Sequence, residues 1–166
     1  MQDFLQEIGK YNIRAAKPDP TRCALLVVDM QEYFRPIALS AADNISRVLA
    51  ACRSRSMPVV YTRHGHRDIS VDGGMIYEWW GQSVTYGAGE WQIMPEVAPE
   101  EGDTVLDKRR YSAFRGTELD GMLRKLGVRE LIVIGVLTNC CCENTARDFR
   151  SGLQGVLRLR CHRGRE

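Results

Sequence analysis

The sequence predicts an α/β fold of three layers, α-β-α, built on a mostly parallel sheet. Three observations carry this expectation. Ala24-Leu25-Leu26-Val27-Val28 and Leu131-Ile132-Val133-Ile134 are short continuous apolar runs, the pattern of strands covered on both faces. Amphipathic helical segments alternate with such runs, an order that yields βαβ units with right-handed crossovers. The chain has 166 residues, of which 44% are hydrophobic, so one domain with a sizeable core is expected over 1–166.

Each element follows in order. Met1 to Tyr11 predicts a short helix with Phe4, Leu5 and Ile8 on one face, broken by Lys17-Pro18-Asp19-Pro20. Residues 1–20 are read as an N-terminal extension. The first strand, Ala24 to Val28, ends at Asp29. Ser40 to Arg55 predicts a helix, because Ile45, Val48, Leu49 and Cys52 fall at i, i+3, i+4 and i+7 and Ser40 or Asp43 can cap it. Pro58 stops it, and Val59 to Thr62 is a second strand. From Arg63 to Gly102 the periodicity fades, and so long an insert in a compact domain reads as a pocket-forming excursion. Thr104 to Leu106 is a short third strand. Thr117 to Leu126 is a helix with Leu119, Met122, Leu123 and Leu126 on one face and Gly127 as its stop. Glu130 to Gly135 is the fourth strand, and Cys142 to Arg150 begins a further helix. Residues 149–166 form an atypical tail, in which Arg158 and Arg160 alternate with Leu157, Leu159 and Cys161 as in an edge strand.

Composition narrows the function. A formal net charge of +2 gives no general attraction to nucleic acid or acidic lipid. No apolar run approaches the roughly 20 residues of a bilayer span, and Met1 to Pro20 lacks the apolar stretch of a secretory signal. A cytoplasmic protein is expected, with neither nucleic acid nor membrane as partner. Six cysteines, three of them adjacent at Cys140, Cys141 and Cys142, make a poor disulfide framework and no zinc motif. They are read as reduced thiols, with Cys140 and Cys142 as buried packing residues.

Ligands of open parallel sheets bind beyond the carboxyl ends of the strands. Asp29 follows the first strand, Lys108 the third, and the turn from Val136 to Cys142 the fourth. A carboxylate, an ammonium and a thiol are therefore expected in one pocket. Only a thiolate attacks a carbonyl. Asp29 as proton acceptor, Lys108 as a positive charge and the start of the next helix would favour it, an arrangement expected to lower the thiol pKa. Taken singly, Asp29 also fits a loop cap and Lys108 a solvated basic turn.

Three segments bear a resemblance. Leu25-Leu26-Val27-Val28-Asp29-Met30-Gln31, Asp107-Lys108-Arg109-Arg110-Tyr111-Ser112-Ala113-Phe114 and Gly135-Val136-Leu137-Thr138-Asn139-Cys140-Cys141-Cys142-Glu143-Asn144-Thr145-Ala146-Arg147-Asp148 resemble, in this order, the acid, lysine and nucleophile segments of isochorismatase-like hydrolases. The resemblance runs from about Thr21 to Asp148. It implies a Rossmann-like sheet and a cysteine amidohydrolase cleaving a C–N bond of a small amide, carbamoyl or ureido compound through a thioester. It further implies Asp29, Lys108 and Cys141 as the catalytic set, and a cis peptide between Val136 and Leu137. The backbone N–H groups of Leu137 and Cys141 would form the oxyanion hole. No cofactor is implied for the chemistry, and a homo-oligomer, dimer or tetramer, is.

The same family contains isochorismatases, which cleave a vinyl ether and carry a small residue in place of Cys141. Arg110-Tyr111-Ser112-Ala113-Phe114 and Trp79-Trp80-Gly81 resemble that branch. An ether hydrolase with Asp29 as acid is thus the alternative, and a non-catalytic homologue acting by binding or assembly is another. His64 and His66 have the i, i+2 spacing of metal ligands but do not reproduce the Asp-x-His pattern of zinc-binding nicotinamidases. They are read, with Phe34 and Tyr111, as substrate contacts, and no metal is assigned. Trp79, Trp80 and Trp91 are read as core or subunit-interface residues. After Asp148 the resemblance fails, so the C-terminal part is shortened or divergent. A divergent edge strand, a partner subunit completing the sheet and an altered C-terminus all fit.

Overall fold

The computed structural model describes residues 18–152 and 156–159. The helix expected over Met1 to Tyr11 and the end of the tail beyond Leu159 lie outside the described residues. Five strands form one sheet: β1 (Cys23–Val28), β2 (Val59–His64), β3 (Thr104–Lys108), β4 (Glu130–Gly135) and β5 (Val156–Leu159), in the order β3-β2-β1-β4-β5. All four pairings are parallel. The three-layer α/β architecture is as expected, and β5 lies at the sheet edge as the tail's alternation suggested.

Central β1 is buried at every residue, which explains its unbroken apolar run. Ala24, Leu26 and Val28 face one layer, where they meet Leu119 and Leu123 of α4 (Leu119–Lys125) and Phe149 of α5 (Glu143–Gly152). Leu25 and Val27 face the other, against Ile45, Leu49 and Cys52 of α1 (Arg35–Arg53). A period of two along the strand thus fills two cores with one sequence run.

Several boundaries differ from the expectation. The first long helix begins at Arg35, not near Ser40, and neither Ser40 nor Asp43 caps it; Pro36 occupies its first turn, where a missing N–H costs no helical bond. β2 and β3 run on to His64 and Lys108, because polar residues here point into a closed site and the apolar pattern no longer marks the strand. The helix expected over Thr117 to Leu126 contracts to α4. That expected from Cys142 starts one residue later and is preceded by a π-helical turn, Thr138–Cys142. The insert holds α2 (Ile69–Asp72), α3 (Met75–Trp80) and two 3-10 turns.

At the end of β4, Gly135 has φ 118°. A Cβ there would stand 2.1 Å from the carbonyl oxygen of Val28. Only glycine permits both the backbone angle and this approach, so Gly135 sets how the turn bearing Cys141 leaves the sheet beside Asp29.

Candidate active site

The carboxyl ends of β1, β2, β3 and β4 meet at one point. Asp29 follows β1 with φ 50°, a left-handed angle tolerated by aspartate better than by most side chains. Its N–H donates to the carbonyl oxygen of Thr62 at 3.2 Å. The Thr62 hydroxyl donates to Oδ1 of Asp29 at 2.7 Å. These contacts aim the carboxylate across the sheet at Lys108, the last residue of β3.

Lys108 Nζ stands 2.7 Å from Asp29 Oδ2. It donates to the Arg110 carbonyl oxygen at 3.0 Å and to Cys141 Sγ at 3.4 Å. Asp29, Lys108 and Cys141 are 0%, 2% and 6% exposed. Burial alone would drive the Lys108 ammonium to deprotonate, but the Asp29 carboxylate and the Cys141 sulfur outweigh it and hold its pKa above the ordinary value. Lys108 is thus a fixed positive charge at neutral pH.

Cys141 behaves otherwise than expected. Burial pushes its thiol well above the usual range, Asp29 adds to the rise, and Lys108 opposes it without prevailing. The expectation of a depressed thiol pKa is therefore corrected: desolvation of a thiolate costs more here than one ammonium returns. The resting group is a thiol, and Lys108 is paired with Asp29.

Cys141 lies within the π-helical turn, which directly follows a cis peptide between Val136 and Leu137, as the resemblance implied. The carbonyl oxygen of Leu137 accepts from the N–H groups of Cys140 at 3.2 Å and Cys142 at 3.1 Å. Cys142 is buried, as read, whereas Cys140 is half-exposed, since its turn leaves the core on that side.

His64 and Lys108 are register partners of β2 and β3, so the imidazole stands beside the ammonium. Burial, with Lys108 second, pulls the His64 pKa down to about 3; the ring is neutral. Its Nε2 lies 3.0 Å from Ser83 Oγ. His66 Nδ1 lies 2.7 Å from Asp72 Oδ1, and the two rings meet edge-on at 4.9 Å. Gln31 ties this wall to β1: its Oε1 accepts from His64 N at 2.7 Å, and its Nε2 donates to the carbonyl oxygens of His64 and Trp91 at 2.9 Å each. Among the described residues, no three His, Cys, Asp or Glu side chains form a metal-holding group. Asp72, the carboxylate beside the histidines, is engaged by His66 and Arg109.

Tyr111 packs against the same core cluster as Cys141, and its hydroxyl accepts from Trp80 Nε1 at 2.7 Å. Phe34 packs instead against the cluster on the α1 side. Trp91 is buried, but Trp79 and Trp80 are 69% and 59% exposed, so the core reading of those two is corrected. A groove of about 1350 Å³ runs between α1 and β4, lined by Ile37, Ile45, Val48, Ile132 and Ile134; the trio does not line it.

Sequence reasoning passed over Thr62, Thr145, Asp72 and Ser83. Thr145 is fully buried in α5, and its Oγ1 accepts from Ala113 N at 2.9 Å, which fastens the segment after Lys108 to α5. Buried hydroxyls at strand ends and helix faces were the available signal, since such groups need partners.

Comparison with known proteins gives the family. The isochorismatase domain model matches residues 23–156. Nicotinamidase 3 of Arabidopsis thaliana is 41% identical over 142 residues, covering 84% of this chain and 71% of that protein. Isochorismatase of Bacillus subtilis is 38% identical over 136 residues, covering 78% of this chain and 44% of that protein, so the chain spans less than half of that relative. A cysteine hydrolase from Pseudomonas syringae superposes with TM-score 0.76 at 32% identity, covering 82% of this chain and 72% of that one. N-carbamoylsarcosine amidase from Thermoplasma acidophilum gives TM-score 0.72 at 30% identity, covering 82% and 80%. The family model spans most of the chain, and the acid, lysine and cysteine segments converge within it: the chain belongs to the isochorismatase family of hydrolases.

Proposed function

We propose that the chain is a cysteine-dependent amidohydrolase that cleaves a C–N bond of a small amide, carbamoyl or ureido substrate through a thioester on Cys141. The observation that carries this reading is the buried contact chain from Asp29 through Lys108 to Cys141 Sγ, at 2.7 and 3.4 Å. Relatives named for nicotinamide, ureidoacrylate and N-carbamoylsarcosine hydrolysis support the substrate class.

In this mechanism Asp29 takes the thiol proton as Sγ forms its bond to the substrate carbonyl carbon. Concerted transfer suits a thiol whose free thiolate is disfavoured by burial. The oxyanion is held by the N–H groups of Leu137 and Cys141. Those of Cys140 and Cys142 are already bonded to the Leu137 carbonyl, which supports this choice. Each such donor contributes roughly 3 kcal/mol of barrier reduction. The C–N bond then breaks, the departing nitrogen takes the proton from Asp29, and a thioester remains. Water attacks the thioester carbonyl, Asp29 takes its proton, and collapse releases the acid and returns the proton to Cys141. Lys108 keeps its charge throughout and offsets whichever anion forms. No metal or other cofactor takes part, and Phe34, His64, His66 and Tyr111 contact the substrate. The partner is a small molecule, and the active form is a homo-oligomer.

The test is acid-quenched turnover of a panel of small amides, carbamoyl acids and ureido acids, read by peptide mass spectrometry. A substrate-derived acyl mass on the Cys141 peptide is expected. Turnover of the same substrate without an acyl adduct, undiminished in Cys141→Ala, overturns the proposal. The second reading, a vinyl-ether hydrolase with Asp29 as acid, is favoured by the likeness to the Bacillus subtilis isochorismatase. Isochorismate cleavage surviving Cys141→Ala would select it.

A further inference from the structure

Two buried nitrogens beside the trio have no hydrogen-bond partner among the described residues: Nδ1 of His64 and Nε2 of His66. Both histidines are buried, at 5% and 2% exposure. Buried polar atoms are nearly always paired, and those that are not call for an explanation. Here two sit on adjoining rings, 4.9 Å apart.

The contact at the opposite nitrogen selects the tautomer of His66 and permits the matching one at His64. Asp72 accepts, so His66 Nδ1 carries a hydrogen at 2.7 Å, and the neutral tautomer with that hydrogen has its lone pair at Nε2. For His64, Ser83 Oγ lies 3.0 Å from Nε2 and accepts its hydrogen in the tautomer that leaves Nδ1 as a second lone pair. The side is also defined. Thr62, two residues before His64 on β2, hydrogen-bonds Asp29, and His64 is the register partner of Lys108. Both rings therefore belong to the face where Asp29 exchanges protons.

An amide offers that face two unlike halves. Its carbonyl oxygen becomes an oxyanion and needs donors, which these lone pairs are not. Its nitrogen carries N–H bonds and needs acceptors. We propose that His64 and His66 form a leaving-amine subsite that accepts the two N–H bonds of a primary amide or terminal ureido group, so that the enzyme releases ammonia and discriminates against N-alkylated amides. Asp72 and Ser83 are positioning residues that fix the tautomers. The inference rests on the thioester reading. In the acylation step the scissile C–N bond breaks, Asp29 supplies the third proton of the departing ammonia, and the two remaining N–H bonds stay directed at the histidines. An N-methyl group would set carbon against a lone pair and leave it buried and unpaired, a mismatch that sites built for hydrogen bonding reject by on the order of 10²-fold or more.

The experiment compares kcat and KM for a primary amide, its N-methyl analogue and the matching methyl ester, in wild type, His66→Leu and Asp72→Asn. The ester has no N–H but acylates the same sulfur. Wild type is expected to favour the primary amide over the N-methyl amide by roughly 10²-fold. His66→Leu is expected to lower kcat/KM for the primary amide by roughly ten- to hundredfold and to erase most of that preference, with a smaller loss on the ester, which has no N–H to place. Asp72→Asn should move the preference in the same direction by less. Equal loss on all three substrates would make His66 merely structural and overturn the subsite, as would a wild type indifferent to N-methylation. Ester acylation of Cys141 with an unchanged amide preference in His66→Leu overturns the subsite alone. No acylation of Cys141 by any of the three overturns the thioester reading and the subsite with it.

Discussion

Cys141 lies against an ammonium, yet its thiol is harder to ionise than a free one, because a thiolate at 6% exposure loses most of its hydration. Two consequences can be measured residue by residue. The pH dependence of alkylation, followed on separate peptides, should show Cys141 modified only well above the pH at which an ordinary thiol near pKa 8.5 reacts. Asp29→Asn removes a charge that raises the thiol pKa, so it should shift that profile to lower pH while abolishing turnover. A profile for Cys141 at or below the ordinary thiol value in wild type would contradict the geometry. His64 gives a stability signature. Its folded pKa of about 3 lies below its ordinary 6.5, so between those values the unfolded chain binds a proton that the folded one does not. Stability contributed by this residue is intact above pH 6.5 and falls as pH drops through the window, by at most about 1.4 kcal/mol per pH unit. Urea midpoints at pH 7.5 and 5 should therefore converge in His64→Gln relative to wild type. An unchanged difference would mean that His64 titrates normally.

At the scale of elements, what could be read in advance followed apolar runs. β1 and β4 were legible nearly to the residue, since Leu25 to Val28 and Leu131 to Ile134 are apolar throughout and, Ile132 apart, buried. The ends of β2 and β3 were not: Arg63, His64, Asp107 and Lys108 are polar and break the apolar pattern, yet they are strand because the site holds His64 and Lys108 while Arg63 and Asp107 pair with each other. Asp29, Lys108 and Cys141 were legible as strand-end residues. Asp72 and Ser83 were not, because their role depends on a short helix and a turn in an insert without periodicity. Gly135 joins the two kinds of information. Gly135→Ala forces a side chain at φ 118° against the Val28 carbonyl oxygen, and should destabilise the fold by about 3 kcal/mol or more. Chemical denaturation measures it; a loss below about 1 kcal/mol would show that the turn relaxes away from β1.

For the whole molecule, the insert presents an apolar surface of Val71, Met75, Tyr77, Trp79 and Trp80, each at least 40% exposed. Exposed large apolar side chains grouped in this way mark an interaction surface, and Trp80 also reaches Tyr111 beside the site. Assembly of like chains over this surface would cover the tryptophans. Sedimentation velocity should find a dimer or larger species for the wild type and a monomer for the double variant Trp79→Glu, Trp80→Glu. A wild-type monomer at micromolar concentration would remove the assembly from the account. Among the described residues no helix is long and apolar enough to cross a membrane.

The thioester route requires a covalent bond between the sulfur of Cys141 and the substrate, and turnover of Cys141→Ala beside wild type on the best amide of the panel tests it. A loss of at least roughly 10³-fold in kcat is expected, as for removal of a nucleophile, with the fold intact by circular dichroism. Amide hydrolysis within about tenfold of wild type in that variant would contradict it.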